Sequence, residues 1–266
     1  MELVLDLHLH SRFSRAVSQR MNLANMYIWG RKKGINILSI ADFTHPIWLR
    51  EARAKVIELN PGIYRLKDRN NVNQELGPLV QPFDTASGKK EFLGPYFMLS
   101  TEVSSIYTEN GVPHRIHNLI FAPNFETAEK INATLARMGF NLSSDGRPIL
   151  GLSSKNLAQV LFEIDRKIAI IPCHAWTPWF SLYGSRSGYD SIVDCFGEYA
   201  KYVFAVETGL SSDPAMNWRI KELDSRSILS FSDAHSMEKM GREATVIRPV
   251  TGSKINEKDI TYDNVL

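Results

Sequence analysis

The first apolar run of the chain, "ELVLDLHLH", ends on His8 and His10. In an extended strand residues two apart share a face, so both imidazoles project toward one point. That arrangement is a natural start for a metal site. "SDAH" repeats the device near the other end of the chain, with Asp233 and His235. Between them, apolar runs end on Asp42 and His45, on Glu102 and on His174, while His117 lies near the start of its run. His8, His10, Asp42, His45, Glu102, His117, His174, Asp233 and His235 are therefore the candidate ligands. Six of the seven histidines fall in this set, His114 being the exception. The set exceeds the four donors of a tetrahedral zinc. Two or three divalent ions sharing a carboxylate fit better, with Glu102 as the bridge. Mixed imidazole and carboxylate donors point to Zn²⁺, Mn²⁺ or Fe²⁺ rather than Ca²⁺. Such ions lower the pKa of water and clamp the oxygens of a phosphoryl centre. The expected chemistry is metal-assisted hydrolysis of a phosphoester; an amide or deamination substrate stays open on these residues alone. No Gly-rich phosphate loop and no Gly-x-Ser-x-Gly elbow competes with this reading.

Seven near-continuous apolar runs must position these groups, and helical patterns alternate with them. Residues 22–34 pair a capping Asn22 with a terminal Gly34; residues 123–139 and 153–165 carry similar signals. Strands alternating with helices predict a parallel α/β architecture, and runs apolar throughout suit strands covered on both faces, as in a barrel. The working residues of such barrels sit at the C-terminal strand ends. Residues 1–250 are expected to form this hydrolase domain, with a long excursion loop at 60–96 and a polar tail at 251–266.

Composition sets the outer bounds. The 266 residues carry a net charge of +2, 44% hydrophobic and 23% charged residues, so any nucleic-acid binding must come from local clustering. No apolar run is long enough to span a bilayer, and no export signal is read at the N-terminus. Only Cys173 and Cys195 are present, which excludes a disulfide framework and fits a reducing cytoplasm.

"DLHLHS", the split "DFTH", "STE", "PCHAW" and "SDAH" together resemble the PHP (polymerase and histidinol phosphatase) superfamily. Longer stretches, among them "LSTEVSSIY", "NLSSDGRPILGLS", "HAWTPWFSLYGSRSGYDSI" and "SDAHSMEKMGREA", are similar to its endonuclease Q branch across most of residues 3–245. The resemblance implies a distorted seven-stranded β/α barrel with a two- or three-metal centre. It also implies hydrolysis of the DNA phosphodiester 5′ to deaminated bases (uracil, hypoxanthine, xanthine) or abasic sites, with DNA as partner. Members of that branch run on into a cysteine zinc finger and a helical region that have no counterpart in these 266 residues. Many superfamily members place an acidic or His ligand shortly after the opening His-x-His, where this chain has Arg15. The split second motif favours His45 as ligand and leaves Asp42 as a second candidate or as an orienting group.

Glu102, Asp233, His235 and Arg15 are the candidate catalytic residues. Arg12, Arg15, Arg115, Arg186 and Arg242 lie beside metal motifs or the Trp-rich loop and could contact phosphates. Trp176, Trp179, Phe180 and Tyr183 could receive an extruded base. Two alternatives remain at this stage: a small-molecule phosphomonoesterase with a closed basic pocket, and a lesion-binding module that does not cut.

Overall fold

The opening run forms β1 (Leu3–Asp6) in the computed structural model, which describes residues 2–70, 72, 94–249 and 255–266. β1 pairs in parallel with β2 (Ile37–Ser39). The next two strands, β3 (Val56–Asn60) and β4 (Ile63–Leu66), make an antiparallel hairpin. β2 and β4 both pair with β5 (Tyr96–Glu109), which turns back through Asn110 and Gly111 into β6 (Val112–Ala122). β7 (Ile149–Leu150) lies parallel to β5, and β8 (Ala169–Pro172) is antiparallel to β6. β9 (Ala205–Glu207) and β10 (Ser227–Leu229) form a separate parallel pair, and β11 (Thr245–Ile247) runs antiparallel to β1.

The protein is thus mixed α/β, as the alternation of strands and helices predicts. Among the described residues the backbone ladders give a nine-stranded mixed sheet and a two-stranded one, rather than seven parallel strands. Backbone links bridge the gap between them. Ala175 N donates to Glu207 O at 2.8 Å, and Leu9 forms a lone parallel bridge with Ala234.

Four longer helices cover the sheet, and three of them start on caps that the sequence signals. α1 (Leu23–Lys33) starts on Asn22, whose side chain accepts from Asn25 N, and stops at Gly34 in the left-handed region. α2 (Pro46–Lys55) begins directly after His45. α3 (Phe125–Arg137) is capped by Asn124 and buries Phe125, Ala128, Ile131 and Leu135 along one stripe. α4 (Ser154–Ile164) is capped by Ser153. Apolar side chains fill both faces of the sheet. Leu5, Ile37, Met98, Leu119 and Ile171 belong to one buried cluster, and Leu38, Phe97, Ile120 and Ile170 pack with the helices in the other.

The excursion expected at 60–96 begins with the β3–β4 hairpin; most of it lies outside the described residues. The polar composition of 251–266 conceals two anchors, Ile260 and Tyr262, both buried. Tyr262 Oη donates to Lys167 O at 2.8 Å and to Phe121 O at 3.1 Å, and Asn60 Nδ2 donates to Glu257 O and Ile260 O.

Candidate metal centre

Most candidate ligands sit just past strand ends, while Glu102 lies within β5 and His117 within β6. His8 and His10 follow β1, Asp42 follows β2, His174 follows β8, and Asp233 and His235 follow β10. His117 sits in the middle of β6, which runs antiparallel to β5, and stands opposite Ser104 of β5, two residues beyond Glu102. Asp42 (φ 40°), His174 (φ 28°) and Asp233 (φ 45°) all adopt the left-handed region that non-glycine residues avoid. Strain gathered at one edge marks a site that the surroundings hold in place. Asp42 is held by Ser11 N at 2.6 Å and Ser14 Oγ at 2.8 Å, and His174 N donates to Glu207 Oε2 at 2.8 Å.

Glu102 is the hub. Its Oε1 lies 2.5 Å from His117 Nδ1 and 3.2 Å from His174 Nε2. Its Oε2 lies 3.3 Å from His10 Nε2, 3.7 Å from His8 Nε2 and 3.2 Å from Arg147 Nη1. Asp233 Oδ1 sits 3.1 Å from His10 Nε2, 3.8 Å from His8 Nε2 and 3.5 Å from His235 Nδ1. His8 Nε2 is buried without a hydrogen-bond partner, and His117 Nδ1 faces His174 Nε2 at 3.3 Å. A hydrogen-bond network would pair donors with acceptors; these nitrogens instead converge with an orphan among them. Donors on one zinc ion at 2.0–2.1 Å stand about 3.3 Å apart, which is the spacing seen here. Donor atoms of His8, His10 and Asp233 all lie within 4.8 Å of one another, as do those of Glu102, Cys173 and His174. The residues present fit a divalent metal.

Burial would lift the Glu102 carboxyl, but the His117 charge and hydrogen bonds from His10, His117 and His174 hold it well below the carboxylate range. Asp233 is likewise held low, by His10 and His8 against burial. Burial would lower His8 and His10; Glu207, Asp233, Asp42 and Glu102 outweigh it and raise both imidazoles well above 6.5. Burial keeps His117 and His235 below that value. The buried Cys173 thiol is pushed far up by burial and then by the neighbouring carboxylates.

Asp42 and His45 separate clearly. Asp42 Oδ1 meets His10 Nδ1 at 3.2 Å, so it orients that ring from behind. His45 caps α2, accepting from Trp48 N at 3.4 Å, and stacks on Phe13 with centroids 4.3 Å apart. Arg15 is 78% exposed and pairs with Asp145. Arg12 binds Glu51 through both carboxylate oxygens. Arg242 donates to Ser232 O and Asp233 O, bracing the strained ligand loop. Arg186 is exposed. The aromatic group divides. Trp176 stacks on Tyr183 and donates to Asn217 Oδ1, and Tyr183 Oη donates to Glu222, so both serve packing. Trp179 and Phe180 instead line a cavity of about 380 Å³ with His117, Arg147, His174 and Asp233, and the exposed Arg115 guanidinium lies over both rings.

Two residues at this site were outside the sequence-derived set. Glu207 accepts from His8, and its strand-end position in "YVFAVETGLS" is the signal that could have found it. Arg147 contacts Glu102 from a loop with no periodic pattern, so composition carried no signal for it.

No model of a known protein family matches the chain. Among solved structures, the lesion-specific endonuclease PfuEndoQ from Pyrococcus furiosus matches with TM-score 0.76 and 28% identity, covering 100% of this chain and 55% of that one. Endonuclease Q in complex with a 27-mer duplex carrying an abasic lesion at the active site matches with TM-score 0.77 and 28% identity, at the same coverage. This chain shares the endonuclease Q fold over its whole length. The uncharacterized protein YqxK of Bacillus subtilis is 27% identical to this endonuclease Q-like chain over 251 residues, 90% of the chain and 56% of that protein. The endonuclease Q-like chain spans about half the length of these relatives.

Proposed function

We propose that this chain is the metal-dependent hydrolytic core of a DNA endonuclease that cuts the phosphodiester 5′ to an abasic site or a deaminated base such as uracil, hypoxanthine or xanthine. One observation carries the reading: Glu102 stands between two groups of imidazoles, His8 and His10 on one oxygen and His117 and His174 on the other. That is the position of a carboxylate shared by two ions. The backbone likeness to endonuclease Q, including the form bound to an abasic duplex, supports DNA as the substrate.

His8, His10 and Asp233 would hold one divalent ion and His117 and His174 a second, with Glu102 between them and His235 beside Asp233. Zn²⁺ is the first choice for this donor set, with Mn²⁺ or Fe²⁺ next. Bound there, the metal supplies Lewis acidity toward water and the phosphoryl oxygens. Asp42 and Glu207 fix the rings of His10 and His8. Trp179, Phe180 and Arg115 form a cationic and aromatic rim that suits a backbone phosphate and an unstacked nucleotide. No helix among the described residues is long and apolar enough to cross a membrane.

The test incubates the purified chain and Mn²⁺ or Zn²⁺ with end-labelled duplexes carrying one uracil, hypoxanthine or abasic site. An undamaged duplex and p-nitrophenyl phosphate run alongside. A nick 5′ to the lesion, lost in the H8A/H10A double variant, is the expected result. Turnover of the phosphomonoester with intact DNA would replace this reading with the small-phosphatase one.

A further inference from the structure

Arg147 stands in the wall of the cavity, and no strand of the metal motif supplies it. It belongs to the irregular segment between α3 and β7, which is pinned from two sides and braced from within by Asp145. Gly146 N donates to Phe13 O at 3.0 Å, Arg147 N donates to Asp145 Oδ1 at 3.0 Å, and Ser104 N donates to Pro148 O at 3.0 Å. Gly146 presses so closely on the Asp42 loop that a Cβ there would lie 2.3 Å from Ser14 Oγ and 2.5 Å from Asp42 Oδ2. The backbone that aims Arg147 is therefore locked to the same carboxylate that orients His10.

Only 25% of the Arg147 side chain is exposed, and Nη1 donates to Glu102 Oε2 at 3.2 Å. A guanidinium has five N–H donors in a rigid fork that matches phosphate oxygens. The cavity it faces is shared with His117, His174, Asp233 and Trp179. Burying a cation beside a carboxylate that metals must also use is costly for a purely structural pair. It is useful where negative charge must be met in a water-poor site by a donor already in place.

We propose that Arg147 is a catalytic residue: from its anchor on Glu102 its free N–H groups contact a non-bridging oxygen of the scissile phosphate, and its charge offsets the charge that builds there in the transition state. The proposal rests on the phosphodiesterase reading above. It assigns to Arg147 the role for which the sequence offered Arg15, whose side chain is instead 78% exposed and paired with Asp145.

The experiment compares wild type with Arg147→Gln, which keeps a donor toward Glu102, and Arg147→Lys, which keeps the charge. Metal content, thermal unfolding, inorganic phosphate affinity of the metal-loaded protein by calorimetry, and kcat and KM on an abasic duplex are measured. For Arg147→Gln the expected result is unchanged metal content and folding, phosphate affinity down at least tenfold, and kcat down about 10²–10³-fold with a smaller change in KM. Arg147→Lys recovers part of both losses. Wild-type phosphate affinity and kcat in Arg147→Gln would overturn the proposal, as would losses that merely follow lost metal. If Arg147→Gln does not fold, Arg147→Lys decides: phosphate affinity equal to wild type overturns the assignment, and a reduced one supports it. If wild type cuts neither the duplex nor p-nitrophenyl phosphate, the parent reading has failed, and the phosphate titration alone judges Arg147.

Discussion

His8 Nδ1 donates to both carboxylate oxygens of Glu207, at 2.9 and 3.0 Å, with both side chains fully buried. Once the ring is neutral, this bond holds its proton on Nδ1 and leaves the Nε2 lone pair, which faces Glu102 and Asp233, to a metal. Glu207 Oε2 also receives His174 N, so one carboxylate sets two ligands from different strands. Glu207→Gln is expected to weaken metal binding by about 10–100-fold while the protein stays folded. Competition against a chromophoric chelator measures it; full affinity in the variant would show that the ring needs no such partner.

Asp42 and His45 offer a contrast within one motif. Asp42→Asn leaves His10 without its charged orienting partner and is expected to reduce metal affinity about tenfold. His45→Ala removes a helix cap and a ring contact, so it is expected to keep the metal and lose about 1 kcal/mol of stability. Metal content and thermal unfolding of the two variants separate these roles. The opposite pattern would make His45 the ligand.

Metal binding is expected to release protons at neutral pH. In the metal-free protein His8 and His10 hold their protons to well above 6.5, because the facing carboxylates outweigh burial. Metals take the neutral imidazole, so each ion expels protons and affinity falls as pH falls. The same raised values mean that these charge pairs stabilise the metal-free fold below 6.5, and that this contribution is lost as pH rises through the elevated pKa. Zinc titration in weak buffer with a pH indicator reads the release, and no pH change at saturation would contradict the assignment.

Asp6 lies behind the site and anchors the loop that carries Asp233. It accepts from Ser232 N, Ser232 Oγ and Gly241 N, yet burial pushes its carboxyl up to about 6. Between 3.8 and about 6 the folded protein holds a proton that the unfolded chain has released, so this group makes stability fall as pH rises. The linked change is about 3 kcal/mol at about 1.4 kcal/mol per unit. Relative to Asp6→Asn, the wild type is expected to lose about that much between pH 4 and 7 in denaturant melts. A constant difference between the two proteins would reject the shifted carboxyl.

The site was legible where chemistry and strand periodicity coincide. His8 with His10, and Asp233 with His235, announce themselves by spacing, and Asp42 and His174 by strand-end position, whereas β5 runs on past Glu102 to Glu109. Strand direction was not legible. The β5–β6 hairpin reverses His117 relative to its neighbours, which is why it broke the pattern in sequence while joining the others in space. Asp42 and His45 are three residues apart and similar in chemistry; only the left-handed turn at Asp42 decides which one faces His10. Trp176 and Trp179 likewise read alike, and their fates differ through Asn217, which gives Trp176 an inward partner. Arg147 was invisible because its place depends on Gly146 fitting against Asp42, a contact across 104 residues of chain.

The lone bridge between Leu9 and Ala234 has a mechanical meaning. It is a single stitch where the first site strand meets the last, and His10 and Asp233 flank it from positions 223 residues apart. An ion gripped by both would act as a rivet across that seam, closing a very long loop and removing the entropy the chain gains when it opens there. Chelation should therefore loosen the protein first along this seam, with amide exchange at Leu9 and His10 rising before the β5–β6 hairpin responds.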